Sequence, residues 1–433
     1  MLTNYISYRY LMKRRSFLHK MAVAGAATVF MPYLDLMASP NVKKVKITNV
    51  KCVRTKIGFR PSLLVKIETD AGIVGIGECH HDENSMGAKD VVLNVIKPIL
   101  VGQDPYELER LVFKMSTRSS YYGGNHGIPL HAITGVEFAL WDILGKLADQ
   151  PVYKILGGGA HRKSVRAYCT SRPRDLLSKD SCQEFAGKMK TWGFTAAKVD
   201  FIRDQNWERL DNRMMSYNEI DRNGRGFQNV RDAVGPDFDI AVHAHWELDF
   251  DSALRVAHAV APMKPWWFED PLPIAYNEQW VKLTERSPIP ILTGENLYTR
   301  DDFRPFIVNG AVNKIEIDIS SAGGLLEAKK IADMAETYYI SVATHNVAGP
   351  VATVASAHCA ATIREFAGHE AFMNQAINAD GKSCNGDNAV LGYGVDLLKD
   401  GYLQFNDKPG LGITLDEKLV KEKYMVPGET WWD

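Results

Sequence analysis

The sequence predicts an α/β protein: a modified (β/α)8 TIM barrel with an N-terminal α+β capping domain. Three observations carry the barrel and the separate α+β domain. From about residue 161 short apolar runs alternate with helical stretches, eight runs in all, as parallel strands joined by helices do. Within Asp239–Glu295, three successive runs end on His243, Glu269 and Glu295, each 26 residues after the one before. One strand, one helix and two short loops consume about that length. The three groups are therefore expected at the same end of neighbouring strands, where barrel enzymes gather their catalytic residues. The residues before the barrel follow a different pattern, strands first and helices after, as in a separate α+β unit.

In chain order, residues 1–40 read as an export signal. Lys13-Arg14-Arg15-Ser16-Phe17-Leu18 precedes an apolar run from Met21 to Met31. The run is shorter than the roughly 20 residues of a membrane span and suits the core of a signal peptide of the twin-arginine type. The expected location is the periplasm, with no membrane association after signal removal. Residues 41–160 make the cap. Val45–Ile47, Leu63–Ile67 and Ile73–Gly77 read as strands, with a turn at Asp70-Ala71-Gly72 and a loop at Lys56–Arg60. Ala88–Met115 is helical with a break near Gly102–Pro105. Tyr121–His126 is a polar-aromatic loop, and His131–Leu147 is a helix closed by a Gly-rich turn over 151–159.

Residues 161–390 make the barrel. Its strands are expected at Val165–Tyr168, Ala196–Asp200, Asp239–Val242, Trp266–Phe268, Ile289–Leu292, Lys314–Ile317, Ile340–Thr344 and near Ala360–Phe366, with an amphipathic helix at Leu325–Thr337. Residues 391–433 are expected to return to the cap, extended over Tyr402–Thr414. The net charge of −1, with no basic stripe, excludes a nucleic-acid partner. Six cysteines without a CxxC pair exclude a zinc module and read as small buried residues.

Lys198 and Asp200 stand two apart at the end of the second barrel strand and so face one side. Alone they could be a solvated ion pair. His243 and His245 repeat the spacing one strand on, and Glu269 and Glu295 add hard carboxylate oxygens. That set fits a divalent cation that polarises a substrate carboxylate. Asp318 and His345 end neighbouring strands, where the carboxylate can orient the imidazole and raise its basicity. Glu370, after the eighth strand, reads either as a hydrogen-bond partner for a substrate oxygen or as a surface carboxylate. Arg172 and Arg174, after the first strand, read either as a clamp for a distal carboxylate or as solvated loop arginines.

The stretches 139–146 (ALWDILGK), 151–158 (PVYKILGG), 198–200 (KVD), 268–271 (FEDP), 293–300 (TGENLYTR), 317–324 (IDISSAGG) and 344–350 (THNVAGP) together resemble the enolase superfamily. Within it the chain is most similar to the mandelate racemase group and the galactonate-type sugar-acid dehydratases, from about residue 45 to 425. The resemblance implies that the barrel is modified and the α+β domain caps it, with the C-terminal tail packing back on the cap, and it implies Mg2+ and removal of the proton α to a carboxylate through an enediolate. Carried over residue by residue, it implies metal ligands at Glu269 and Glu295, a base dyad of His345 with Asp318, and an enediolate-stabilising Lys198. It also implies a general acid at His245 for the departing 3-hydroxyl, and a substrate-side carboxyl group at Glu370. Asp200 stands where racemases carry a second lysine, which argues against a two-base racemase. His243 stands where the family has an Asp ligand. If His243 binds the metal, the protein ligands bring two negative charges instead of three, and Mn2+, Fe2+ or Zn2+ become candidates beside Mg2+. The expected function is a metal-dependent sugar-acid dehydratase, a carbon–oxygen lyase with a small sugar acid as its partner, assembled as a homo-oligomer. A cycloisomerase or epimerase, or a non-catalytic sugar-acid binding protein with a degenerate metal site, stays open as an alternative.

Overall fold

A computed structural model of the chain describes residues 44–57, 60–80, 85–119, 125–203, 213–372, 390–392 and 397–432. The export segment 1–40, Cys384 and parts of the loops 56–60 and 121–126 lie outside the described residues. Cap and barrel belong to one unit, Lys46–Asp433.

The cap begins with an antiparallel sheet of β1 (Ile47–Thr55), β2 (Ser62–Thr69) and β3 (Val74–Glu78). Gly72, at φ +74°, closes the turn into β3. Helical residues Ser85–Leu100, with a π-helical middle at Val91–Ile96, lead through a break at Gly102 (φ +85°) to α1 (Leu108–Ser119) and α2 (Gly127–Leu147). The α2 helix starts four residues before the expected position, because Pro129 falls in its first turn, where a missing N–H costs nothing. The stretch expected as a turn after α2 is instead a short helix, α3 (Val152–Gly157), ended by Gly158 at φ +72°. The α2 backbone lies directly on β3. A Cβ at Gly75 would sit 2.0 Å from the Ala139 carbonyl oxygen, and one at Gly77 would sit 1.9 Å from that of Gly135.

The barrel strands are β4 (Ser164–Thr170), β5 (Ala196–Asp200), β6 (Asp239–His243), β7 (Trp267–Glu269), β8 (Ile291–Thr293), β9 (Lys314–Asp318), β10 (Ser341–His345) and β11 (Phe366–Phe372). Each pairs in parallel with the next, and β11 pairs with β4 to close the ring. The connecting helices are α4 (Lys179–Thr191), α5 (Tyr217–Val234), α6 (Phe250–Val260), α7 (Glu278–Arg286), α8 (Thr299–Val308), α9 (Leu325–Glu336) and α10 (Pro350–Ala361). Tyr168, Trp267 and Leu292 interlock with Ala196, Ala241 and Ala343 to fill the ring. The eighth strand corrects the sequence expectation: Ala360 belongs to α10, whose Ala-rich run with Pro350 at its start favours helix. The strand follows it, and its polar His369 and Glu370, both buried, disguise it in the sequence.

The tail is extended over less of 402–414 than expected. Leu398–Lys399 (β12) and Tyr402–Gln404 (β13) form a hairpin whose second strand pairs antiparallel with β4. The chain then runs along the cap. Leu411 N–H donates to Asp142 Oδ1 (2.9 Å), Lys56 N–H to the Tyr424 carbonyl (2.7 Å) and Val426 N–H to the Arg54 carbonyl (3.1 Å).

Two cap carboxylates cap barrel helices. Glu78 accepts from Ala352 N–H (2.9 Å) in the first turn of α10, and Glu137 accepts from Leu325 and Leu326 N–H (3.0 and 3.1 Å) in the first turn of α9. Helix starts offer unsatisfied donors and partial positive charge, so buried carboxylates there are stabilising. Burial nonetheless raises Glu137 to about 7, against the pull of those hydrogen bonds.

Because a methyl group on β3 would overlap the α2 backbone, Gly77→Ala is expected to destabilise the fold by about 2 kcal/mol or more. Thermal denaturation of the variant checks this; an unchanged melting temperature would contradict the close approach.

Candidate active site

At the C-terminal mouth of the barrel one ammonium sits among carboxylates. Lys198, only 2% exposed, places Nζ 2.7 Å from Glu269 Oε1, 2.9 Å from Glu370 Oε1 and 3.8 Å from Glu295 Oε2. Burial alone would strip its proton, but Glu269, Glu316, Glu370 and Glu295 outweigh burial and hold it well above the usual lysine range. Glu370 lies within β11 and inside the mouth, not on the surface. It accepts from Thr170 Oγ1 and from Asn346 N–H (3.1 Å). Burial would raise it, yet Lys198 and His345 hold it down to about 2. Glu316, which accepts from the Tyr168 hydroxyl, is pushed well above the carboxylate range by burial and by Glu269.

The parallel register sets Asp200 beside His243 and His243 beside Glu269. Glu295 departs from the equal-step expectation. Glu269 pairs with Leu292, and Glu295 enters from the loop beyond β8 past Gly294. At φ +144°, Gly294 leaves no room for a Cβ, which would lie 2.2 Å from the Glu316 carbonyl oxygen. One donor atom each from His243, Glu269, Asp270 and Glu295 lies within 4.8 Å of all the others. His243 Nε2, Asp270 Oδ2 and Glu295 Oε2 are buried without a hydrogen-bond partner. Unpaired buried acceptors are costly, and a divalent cation at their centre would satisfy all three. The residues therefore fit such an ion. His243 Nδ1 is 3.2 Å from Asp200 Oδ1, so with the Nδ1 proton donated to Asp200 the Nε2 lone pair faces the centre, the carboxylate–histidine arrangement of metal sites. Asp200 thus orients His243. Burial would lower His243, but Glu269 and Asp200 raise it to about 9; a cation binding at Nε2 would take the place of the second ring proton.

On the other side, His345 pairs with Asp318 in register, Nδ1 2.6 Å from Asp318 Oδ2. Asp318 also accepts from Ser320 N–H (2.8 Å) and Oγ (2.6 Å). His345 Nε2 lies 3.4 Å from Glu295 Oε2 and 3.4 Å from Glu370 Oε2. Burial works against its charge, but Glu295, Glu370 and Asp318 hold it well above the usual histidine range.

His245 follows β6 at φ +50°. Its ring lies 3.7 Å from that of His243, centroid to centroid, with an edge open to a cavity of about 790 Å³ that Arg172, Arg174, Arg203 and Arg222 also line. Burial of the ring, then the His243 charge, push it down to about 3. A cation held by His243 would push the same way. At that value the ring is neutral at pH 7, whereas the sequence expectation makes His245 the general acid.

Three site residues escaped the sequence reading. Asp270 was overshadowed by Glu269 beside it. Glu316 looked like an alternate strand residue. His80, in the cap, puts Nε2 3.3 Å from Asp318 Oδ2; its only signal was its place just past the β3 hairpin.

Residues 39–157 match the N-terminal domain of the mandelate racemase/muconate lactonizing enzyme family, and residues 181–419 match the enolase C-terminal domain-like family. The chain belongs to the mandelate racemase/muconate lactonizing enzyme family. Family relatives include the D-xylonate dehydratase of Haloferax volcanii, 35% identical over 400 residues, covering 90% of this chain and 92% of that one. The D-galactonate dehydratase of Pectobacterium atrosepticum is 29% identical over 386 residues, covering 88% and 94%. Among solved structures, the mandelate racemase/muconate lactonizing enzyme-like protein of Rubrobacter xylanophilus superposes with a TM-score of 0.80 at 32% identity, covering 90% of this chain and 100% of that one.

Lys198→Met removes the ammonium from between Glu269 and Glu370. Leaving buried charges uncompensated is expected to cost about 3–5 kcal/mol in metal-free protein, and a divalent cation should restore part of it. Melting temperatures with chelator and with Mg2+ test both halves.

Proposed function

We propose that this family member is a metal-dependent sugar-acid dehydratase, which removes the proton α to a carboxylate and expels the 3-hydroxyl as water. The observation that carries the reading is the placement of His345 Nε2 3.4 Å from Glu295, itself a donor of the cation centre. That puts a base beside the place where a substrate carboxylate would be held. The names of the relatives, xylonate and galactonate dehydratases, support the same class. A divalent cation held by His243, Glu269 and Glu295 would polarise the substrate carboxylate and stabilise charge developing on it. Mg2+ is the family expectation, and the imidazole donor of His243 opens the site to Mn2+, Fe2+ or Zn2+.

His345 takes the α-proton on Nε2 while Asp318 holds its Nδ1 proton and stabilises the imidazolium. Lys198 has three N–H donors, two of them engaged with Glu269 and Glu370, and gives the third to the carboxylate oxygen of the enediolate. The C3–O bond then breaks, its electrons leave with the hydroxyl, and the enediolate electrons form the C2–C3 double bond. With His245 neutral, the departing hydroxyl takes its proton from the His345 imidazolium, and His245 serves as a hydrogen-bond donor at the mouth. The resulting enol becomes a 2-keto-3-deoxy acid. Arg172 and Arg174 line the cavity beside His245, where they would hold a distal carboxylate of the substrate. The twin-arginine-type segment supports export of the folded enzyme to the periplasm, which cell fractionation would test.

His345→Asn is expected to abolish solvent deuterium exchange at the substrate α-carbon and to lower turnover of an aldonic acid by at least about 10²-fold. His245→Asn should keep the exchange. No exchange in the wild type would instead indicate a binding protein.

Since His345 must shed its proton to act, activity falls as pH drops through its pKa. Glu370 is one of the carboxylates that hold that proton in place, so Glu370→Gln is expected to move the acid limb of kcat/KM to lower pH. A shift to higher pH would contradict the assignment of His345 as base.

A further inference from the structure

The cation centre has one donor too many for its family pattern. His243 brings no negative charge where the family has an aspartate, yet Asp270, next to Glu269, offers a carboxylate that no expected role uses. Asp270 is fully buried. Its Oδ1 accepts from Thr293 Oγ1 (2.5 Å), whereas its Oδ2 has no hydrogen-bond partner and lies 3.9 Å from His243 Nε2. Asp270 belongs to the same 4.8 Å donor set as Glu269 and Glu295. The backbone there is unusual as well. Asp270 sits at φ +47°, a region non-glycine residues seldom enter. It is pinned by hydrogen bonds from Asp270 N–H to the Leu292 carbonyl (3.0 Å) and from Trp246 N–H to the Asp270 carbonyl (2.6 Å).

We propose that Asp270 is a protein ligand of the cation and supplies the third negative charge that His243 does not. The proposal rests on the cation-assisted reading above. Two observations converge on it: the unpartnered Asp270 Oδ2, and the unpartnered His243 Nε2 opposite. A residue kept only for its hydrogen bond to Thr293 would not need its second oxygen stripped of partners. The donor set becomes one imidazole and three carboxylates. The charge matches that of a three-carboxylate site, and the nitrogen is retained.

The test uses the full chain freed of metal with a chelator and titrated with Mn2+ by calorimetry, comparing wild type with Asp270→Asn. Asparagine keeps the size of the side chain and an oxygen for Thr293. The expected result is one Mn2+ bound by the wild type, with the dissociation constant of the variant raised at least about tenfold, since even partners one shell further out change metal affinity by 10–100-fold. Melting temperature gives a second readout. Metal-free Asp270→Asn should melt no lower than wild type, because the crowding of a buried acid by Glu295 and Glu269 is relieved, and Mn2+ should raise its melting temperature less. Mn2+ affinity within twofold of wild type would overturn the role of Asp270 and leave the cation centre standing. A wild type that takes up no Mn2+ would overturn the cation centre itself.

Discussion

A lysine ammonium shut away from water stays charged only where carboxylates replace the solvent it has lost. Lys198 meets that condition with Glu269 and Glu370 in direct contact and Glu295 just beyond. The constraint runs both ways: these carboxylates could not gather at the mouth without a cation among them. The site is accordingly a balance of charges. Burial and Glu269 push Glu316 up, while Lys198 and His345 hold Glu370 down against burial. The same carboxylates set His345 above its ordinary range, so base strength and the stability of the barrel mouth have a common source.

The alternation of apolar runs after residue 161 made the barrel readable, because parallel strands buried on both faces carry a simple signal. Seven of the eight strands fall where that signal lies, to within a residue or two. The eighth hid because its interior positions hold His369 and Glu370, which look like loop residues until the ring closes around them. The pairing of Asp318 with His345 was readable as two strand ends, since adjacent parallel strands bring such ends together. Asp270 and His80 were not. Asp270 depends on a backbone turn in the left-handed region that periodicity does not reveal. His80 comes from the cap, more than 200 positions from Asp318 in the chain.

His243 and Asp200 make sense together. Each departs from the family pattern when read singly. In space they are one device, since the carboxylate fixes which ring nitrogen carries the proton and leaves the other for a cation. A histidine in that place without a partner on β5 would be free to turn. The His245 ring, lowered first by desolvation, is lowered further by the charge on His243, with Asp200 opposing.

Glu78 and Glu137 belong to the cap yet complete the first turns of α10 and α9. Those helices follow the strands that present His345 and Asp318. Neither half of the molecule therefore has a full set of hydrogen bonds by itself. Grafting a foreign cap onto this barrel, to change which acids are admitted, would need acidic side chains at both junctions; otherwise the transplant would loosen the very strand ends it was meant to serve.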